Sequence, residues 1–508
     1  MTINPASLSI GNPEWQALMP LVIMAVGAML SLLLGTFRFA GLGEARKVPV
    51  FLSGLLTVGS ALGWLATHWV KAPIRAVQGM VVLDYFSSYF FLLLLICTIL
   101  VLLAGYRYLE NEGIHFSEYY SILLTSVFGM MCLVVTLELV TLFIALEIMS
   151  LGVYVLVGMR RLDRLSNEAA AKYFVMGGVA SALYLYGVAL VYGALNTTNL
   201  VDISSLLKEM QGTALANPVL VLGMAFIFVG FFFKVAVVPF HMWTPDVYEG
   251  APIIVTSFMS TALKAAAFAG FIRISSVFLG NAQTGGGTVG VFFHDSLWVL
   301  AFITMLIGNL VALMQKNLKR MLAYSAIAHT GYLMLGILVG PKVGYSGILI
   351  YLIPYSVMNI GAFGVLALFS GKMDKEATID SMTGVGYKHP LLGASMTIFL
   401  LSLSGLPPTG GFIGKYFLFA SALEAGETIL VLLAVITSLI SVYYYVRVVI
   451  FMYMREASES SHAPAPVGRF SVLAVASIAI CAILTMQIGV APSRILHMAK
   501  KAATLLGG

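Results

Sequence analysis

Residues 231–245 read FFFKVAVVPFHMWTP, and they already indicate the class of fold. Lys234 has apolar residues on both sides, and Pro239 and Pro245 follow it. A lysine near the centre of a lipid bilayer costs about 2.5–3.5 kcal/mol. Proline removes a backbone donor and clashes with the preceding helical turn. The stretch therefore predicts a membrane helix that carries a buried charge and then breaks.

The composition of the whole chain agrees with this interpretation. The 508 residues are 60% hydrophobic and 10% charged, and the mean hydropathy is +0.97. Soluble domains carry about 25% charged residues. We therefore expect an all-α integral membrane protein surrounded by the lipid bilayer. The net charge of +6 does not indicate a nucleic-acid partner, because the basic residues are spread over short loops.

Apolar stretches long enough to cross the membrane, about 20 residues each, occur along the whole chain. We predict fourteen, the seventh and twelfth broken, near residues 15–37, 48–70, 83–105, 118–136, 139–158, 168–192, 218–243, 252–278, 297–315, 319–340, 345–369, 391–424, 427–453 and 470–490. The twelfth contains Pro407 and Pro408 between glycines. Broken helices are tolerated at membrane depth where protein or a water-filled cavity satisfies the backbone.

The two broken helices lie five spans apart, which predicts two five-helix units of inverted orientation. The predicted divisions are an N-terminal three-helix segment (1–117), a first repeat (118–278), a second repeat (297–453) and a C-terminal helix with its tail (454–508). Lys234 precedes the first break, and Lys415 follows the second. In antiparallel helices, both would lie on the same side of their breaks.

The distribution of Lys and Arg predicts the orientation. With these boundaries, loops on the side of the N-terminus carry seven of these residues, and loops on the other side carry fifteen. Since cytoplasmic loops are enriched in Lys and Arg, we expect both termini on the periplasmic side.

Glu147 lies in the middle of the fifth span, and Ser150 and Tyr154 follow it at i+3 and i+7 on one helix face. A structural polar contact between helices is one interpretation. The other is a pair with Lys234, in which movement of the carboxylate would favour release of the lysine's proton.

Lys264 shares a helical face with Ser257, Ser260 and Thr261 and lies about 18 Å from the start of its helix, too deep to reach the interface easily. Lys172 is only one or two turns into its helix. It could extend to the interface or take part in a relay, and the sequence leaves both interpretations open.

His329 has Ser325 at i−4 and Tyr332 at i+3. A lone helical histidine is usually structural, but an ordinary pKa of about 6.5 suits imidazole for proton transfer. Arg273 and Arg447 also fall inside predicted helices and stay charged, so we expect ion pairing or interfacial anchoring.

No redox cofactor or nucleotide site is predicted in this chain. Cys97, Cys132 and Cys481 lie far apart in apolar runs, whereas zinc and iron–sulfur sites need clustered ligands. No glycine-rich phosphate loop stands between a strand and a helix.

Residues 241–252, HMWTPDVYEGAP, resemble the broken seventh helix and following loop of the antiporter-like membrane subunits of respiratory complex I, the NADH:quinone oxidoreductase. The segment PDVYEGAP is similar to the corresponding segment in the subunit N branch of that family, the bacterial counterpart of mitochondrial subunit 2. Residues 146–151, 324–332 and 405–412 carry further matches, and the resemblance covers essentially the whole chain.

The resemblance implies fourteen helices, two inverted repeats and one proton pathway. The matching site positions are Glu147, Lys172, Lys234, Lys264, His329 and Lys415. Asn359 stands where a larger paralogue tends to have histidine. A relay between the histidine and the last lysine would therefore depend on water or hydroxyl groups.

The resemblance also implies a place in the bacterial inner membrane beside other antiporter-like and small membrane subunits. NADH, FMN, iron–sulfur clusters and quinone would be bound by partner subunits. A subunit of a multisubunit cation/proton antiporter, which shares the fold, is the alternative function. A non-transporting scaffold is a third interpretation.

Overall fold

The structure, a computed structural model, describes residues 11–36, 47–70, 72–210, 217–282, 288–341, 343–375, 377–455 and 471–504. The first helices are α1 Asn12–Thr36, α2 Lys47–Thr67, α3 Tyr85–Asn111, α4 Ser117–Val135, α5 Leu139–Val157, α6 Arg164–Leu195, α7 Leu200–Glu209, α8 Pro218–Val235, α9 Trp243–Gly250 and α10 Ile253–Phe258. The later helices are α11 Lys264–Ala282, α12 Thr288–Met314, α13 Leu318–Val339, α14 Val343–Phe369, α15 Val385–Lys388, α16 Pro390–Ser404, α17 Gly410–Glu424, α18 Thr428–Tyr453, α19 Val472–Val490 and α20 Ser493–Thr504.

Short irregular elements interrupt the helices. A π-helical segment, Met259–Leu263, joins α10 to α11. Strands β1 (Ile74–Ala76) and β2 (Val81–Leu83) form an antiparallel hairpin before α3. The remaining short elements are the 3₁₀ segments Val77–Gly79, Lys372–Asp374 and Asp380–Met382.

The prediction of an all-α membrane fold is confirmed. In the described part of the chain, thirteen helices are long and apolar enough to span a membrane. The predicted twelfth span is present as α16 and α17, two helices of 15 residues each. Together they account for the fourteen predicted spans. The inverted repeats and the division of the chain into segments stay predictions.

Helices differ strongly in how much of their surface the protein covers. The spans formed by α10–α11, α13 and α14 are almost wholly buried, whereas α1, α2, α6, α12 and α18 expose large apolar side chains. Exposed apolar surface of this kind suits contact with an apolar surrounding rather than with water. The interior helices α13 and α14 therefore form the centre around which the site is built. Among the loop cations counted for orientation, Arg38, Arg46, Lys71, Lys342 and Arg469 lie outside the described residues.

The seventh span breaks where the prolines predict it. α8 ends at Val235, and Ala236 adopts a left-handed conformation with φ of 64°. The N–H of Val237 then bonds the carbonyl of Phe232 at 2.8 Å, which closes the helix end. The next N–H, of Val238, donates to Thr304 Oγ1 of α12 at 3.1 Å. A neighbouring helix thus satisfies part of the backbone that the break exposes.

The twelfth span breaks at a glycine and a very close backbone contact. Gly405, with φ of 87°, ends α16, and α17 begins after Thr409. The N–H of Gly411 donates to Ser402 Oγ at 3.0 Å. A Cβ on Gly411 would lie 1.8 Å from the Ser402 carbonyl oxygen, so only glycine fits. This contact fixes where α17 starts and hence where Lys415, one turn later, is placed.

We therefore expect Gly411→Ala to destabilise the protein by about 1–3 kcal/mol or more, the usual cost of overpacking a core. Apparent Tm and the amount of subunit in the purified membranes would report it. Gly178→Ala is the matched control, because a Cβ on Gly178 meets no atom within 4 Å. Equal Tm values for the two variants would contradict the close contact.

Candidate functional site

Four basic side chains lie inside the helical core. Lys234, Lys264, His329 and Lys415 are each 5% exposed or less. Their hydrogen-bond partners are all hydroxyl or carbonyl oxygens. Burial of a cation is costly unless it is paired or neutralised. Neutral partners leave each group free to gain or lose a proton without breaking an ion pair.

Lys234 lies in the last turn of α8, immediately before the break. Its Nζ donates to Ser150 Oγ at 2.7 Å and to the Tyr154 hydroxyl at 3.2 Å, both on α5. Glu147 instead accepts a hydrogen bond from Ser181 of α6. Among the described residues, no carboxylate lies within 4.0 Å of Lys234 Nζ. The hypothesised direct contact with Glu147 is therefore not formed, because α6 binds the carboxylate.

Lys264 begins α11, directly after the π-helical segment. A π turn shifts the register of the residues that follow it. Lys264 Nζ donates to the Ala326 carbonyl of α13 at 2.6 Å and to the Tyr355 hydroxyl of α14 at 3.3 Å. The hydroxyls of the predicted polar face are not among these partners, and those of Ser260 and Thr261 donate to the Ser257 carbonyl. Lys264 thus connects the two innermost helices.

His329 lies on α13 between two tyrosines. Its Nδ1 contacts the Tyr351 hydroxyl, and its Nε2 lies 3.2 Å from the Tyr445 hydroxyl. A neutral imidazole has one donor and one acceptor nitrogen. One tyrosine therefore donates to the ring while the other accepts from it. A proton taken up at one nitrogen can leave from the other.

Lys415 lies on α17 beside the second break. Its Nζ donates to the Ser404 carbonyl at 2.9 Å and to Ser438 Oγ of α18 at 2.8 Å. The same ammonium lies 5.3 Å from the centre of the Tyr332 ring. The break exposes the carbonyl that binds the lysine, so the broken backbone is part of the site.

Helix α13 joins the separate positions. The Thr330 hydroxyl donates to the Val235 carbonyl at 2.7 Å, next to the lysine of α8, and also lies 3.2 Å from the Ala326 carbonyl. The Ala326 carbonyl also accepts from Lys264. His329 and Tyr332 continue the same helix towards the lysine of α17. The order along the row is therefore α8, α11, α13 and α17.

Lys172, a predicted site position, and Asn359, where the sequence departs from a paralogue's histidine, lie apart from this row. Lys172 is 42% exposed and pairs with Glu168 at 2.7 Å and with Asp246 at 3.0 Å at an outer end of the bundle. Asn359 donates to the Tyr355 carbonyl at 2.8 Å, within its own helix. The structure does not bring either side chain into hydrogen-bond contact with the four basic groups.

A buried ionic cluster was not identified in the sequence. Asp374 binds Arg160 at 2.8 Å and Lys319 at 3.1 Å, and Arg160 also binds Glu112 at 2.8 Å. Arg160 follows one predicted span and Lys319 begins another, yet they are 6% and 1% exposed. The loops fold back over the helix ends, which hydropathy cannot show. The cluster ties the ends of α3, α5 and α14 to the start of α13.

The two arginines inside spans behave as expected from their permanent charge. Arg273 pairs with Asp84 at 3.0 Å, which confirms ion pairing. Arg447 donates to the carbonyls of Leu313 and Gln315 at 2.9 and 2.6 Å. It therefore binds the C-terminal carbonyls of α12. Both arginines have structural partners.

The tyrosines and serines that bind the basic groups were largely missed. Tyr355, Tyr351 and Tyr445 are fully or almost fully buried, and nothing in a local sequence window marks their hydroxyls as partners of particular cations. A usable signal is the density of hydroxyl residues in apolar helices, as in residues 437–445 of α18.

Fold and site together define a class, the antiporter-like transmembrane subunits. The model of the family "NADH:quinone oxidoreductase/Mrp antiporter, TM" matches residues 136–441. The chain belongs to this family.

Named relatives agree with the assignment. The chain is 40% identical over 509 residues to NADH-quinone oxidoreductase subunit N of Trichlorobacter lovleyi, covering 100% of both chains. A chain of respiratory complex I from Thermus thermophilus is 33% identical, with a TM-score of 0.76 and coverage of 94% of this chain and 99% of that one. A chain of the Mrp complex from Dietzia has a TM-score of 0.80 at 21% identity, with coverage of 97% of both chains, and shows the fold alone.

The buried ionic cluster generates a stability prediction. Burial would raise the pKa of Asp374, but the charges of Lys319 and Arg160 outweigh it and hold this pKa below its ordinary value. The carboxylate therefore stabilises the fold above its ordinary pKa of about 3.9, and the effect is lost as pH falls through the lower folded value. Asp374→Asn should lower stability at neutral pH by about 3–5 kcal/mol.

Thermal unfolding of the purified protein would measure this loss. Asp380→Asn is the control, because its pair with Arg455 at 3.2 Å is exposed and should contribute about 0–1 kcal/mol. Equal effects of the two substitutions near neutral pH would contradict the buried cluster's role.

Proposed function

We propose that this chain is a proton-translocating membrane subunit of a bacterial NADH:quinone oxidoreductase. The observation that carries the proposal is the row of four buried basic groups held by neutral oxygens. Intramembrane ionisable groups commonly mark proton or ion pathways. The 40% identity to a subunit N over the full chain supports the assignment to this complex.

Protons would move along the membrane plane from the lysine of α8 to that of α17. Lys234 would exchange its proton through Ser150 and Tyr154, Lys264 through Tyr355, and His329 by using both ring nitrogens. Hydroxyl groups can donate and accept at once, so they suit the positions between basic groups. Each basic group would take up a proton as its neighbour releases one.

Glu147 and Lys172 would act at the start of this path. The carboxylate lies one turn before Ser150 on α5, whose Oγ binds Lys234. Lys172 and its partner Asp246 lie at the half-exposed end of the bundle, where protons could enter from water. Glu147 would tune the charge of the first buried lysine.

Electron transfer would take place in partner subunits, which would bind NADH, FMN, iron–sulfur clusters and quinone. The neighbours in the membrane would be other antiporter-like and small membrane subunits. The chain would lie in the inner membrane, with both termini on the periplasmic side.

Purification of the chain with its partners separates the two candidate complexes. Recovery of flavin and iron–sulfur subunits with this chain would support NADH:quinone oxidoreductase. Recovery of small antiporter subunits alone would support the cation/proton antiporter, which the fold likeness to the Mrp complex also allows.

Lys234→Ala should lower NADH-driven proton translocation by about tenfold or more, because it removes a proton-carrying group from the row. Acidification of inverted membrane vesicles would measure it, normalised to the amount of assembled subunit. Lys388→Ala is the matched control, since Lys388 is an exposed lysine of α15. Undiminished pumping by the Lys234 variant would reject its role and favour a scaffold.

A further inference from the structure

The helix α20 carries a basic face that has no acidic partner. Arg494, His497 and Lys501 follow one another at i, i+3 and i+7, and Lys500 lies beside them. All four residues are exposed. The helix contains no acidic residue, and in the described part of the chain no carboxylate lies within 4.0 Å of its cations. Clustered cations of this kind attract an anion from outside the chain.

The opposite face of α20 is packed against the bundle. Ala499, Ala502 and Ala503 are buried, and the helix contacts α3 and α14. Leu496 and Met498 are partly buried and pack against the hydrophobic core. Because its apolar face is held in this way, α20 has a fixed rotation about its axis. The basic face therefore points away from the protein.

The connections of the chain place α20 at a membrane surface. The spanning helix α19 ends at Val490, and α20 begins at Ser493. With 12 residues, α20 is about 18 Å long, too short to cross the hydrocarbon core. Lys501 Nζ lies 4.8 Å from the centre of the ring of Tyr85, the first residue of the spanning helix α3. The end of one span and the start of another are both positions at headgroup level, where aromatic rings are common.

The short helix α7 offers a comparison within the same chain. It follows the sixth span and α20 follows the fourteenth, so the two helices lie on the same side of the membrane. The exposed charges of α7 have both signs, because Lys208 is accompanied by Asp202 and Glu209. The cation of α7 therefore has acidic neighbours in its own helix, whereas the cations of α20 have none.

We propose that the basic face of α20 binds the phosphate group of an anionic phospholipid in the adjoining leaflet. Amphipathic helices with Lys and Arg on the polar face bind anionic membrane surfaces. A lipid phosphate offers the negative charge and the acceptor oxygens that Arg494, Lys500 and Lys501 lack within the chain, and the bilayer already holds it at the depth of α20. The bound lipid would keep α20, and with it the end of α19, at the membrane surface.

Photo-crosslinking of the full chain, purified with its partners and reconstituted in vesicles, tests the inference. The vesicles would be phosphatidylcholine with an increasing fraction of a photoactivatable phosphatidylglycerol, and mass spectrometry would quantify labelled peptides of α20. The fraction of phosphatidylglycerol that gives half-maximal labelling should rise about fivefold in Arg494→Gln, Lys500→Gln or Lys501→Gln, the usual contribution of one cation at an anionic surface. Lys208→Gln on α7 is the matched control and should leave this fraction unchanged.

Two further measurements make each outcome decisive. Lys501→Arg keeps the charge and should be labelled like the unaltered chain, which separates loss of charge from loss of folding. Excess inorganic phosphate, compared with chloride at equal ionic strength, should not reduce the labelling. Equal half-maximal fractions in the Gln variants and the unaltered chain would overturn the inference. Loss of labelling with inorganic phosphate alone would also overturn it, because the ligand would then be the free ion.

Discussion

The structure depends on one constraint: the four buried lysine and histidine side chains of the core are bound by neutral oxygens. A carboxylate beside each lysine would hold its charge permanently, whereas a hydroxyl or carbonyl can bind it with little such bias. Backbone carbonyls become available where helices end or break. The Ser404 carbonyl binds Lys415 at the end of α16, and the Val235 carbonyl accepts from Thr330 at the end of α8. The broken helices therefore supply backbone carbonyls that accept hydrogen bonds in the site, in addition to setting where the helices end.

The carboxylates with the closest ionic partners are kept towards the ends of the bundle. Asp374 joins two buried cations across three helix ends, and Asp84 holds Arg273 near the start of α3. Removal of one partner from such a buried pair costs free energy, because it leaves the other charge buried and unpaired. Permanent charge pairs thus fix the loops and helix ends, while the four basic groups of the described core can change their protonation. This separation lets one helical bundle be rigid and still exchange protons.

Much of the architecture could be predicted because its causes are local. Hydropathy over about 20 residues marks a span, and the prolines near residues 239 and 407 mark the two breaks. The partners of the buried groups could not be predicted in the same way. Glu147 binds Ser181 rather than Lys234, and Lys172 remains at the exposed end of α6. These outcomes depend on how helices rotate and pack against one another.

The sequence by itself determined the number of spans, the two broken helices and which basic residues lie at membrane depth. Each follows from the free energy of moving a short segment from water into lipid. Only the tertiary structure decided what those residues touch. His329 meets a tyrosine 116 positions away, and Lys264 meets a carbonyl 62 positions away. Contacts at that separation arise from packing of whole helices, which no local pattern of residues encodes.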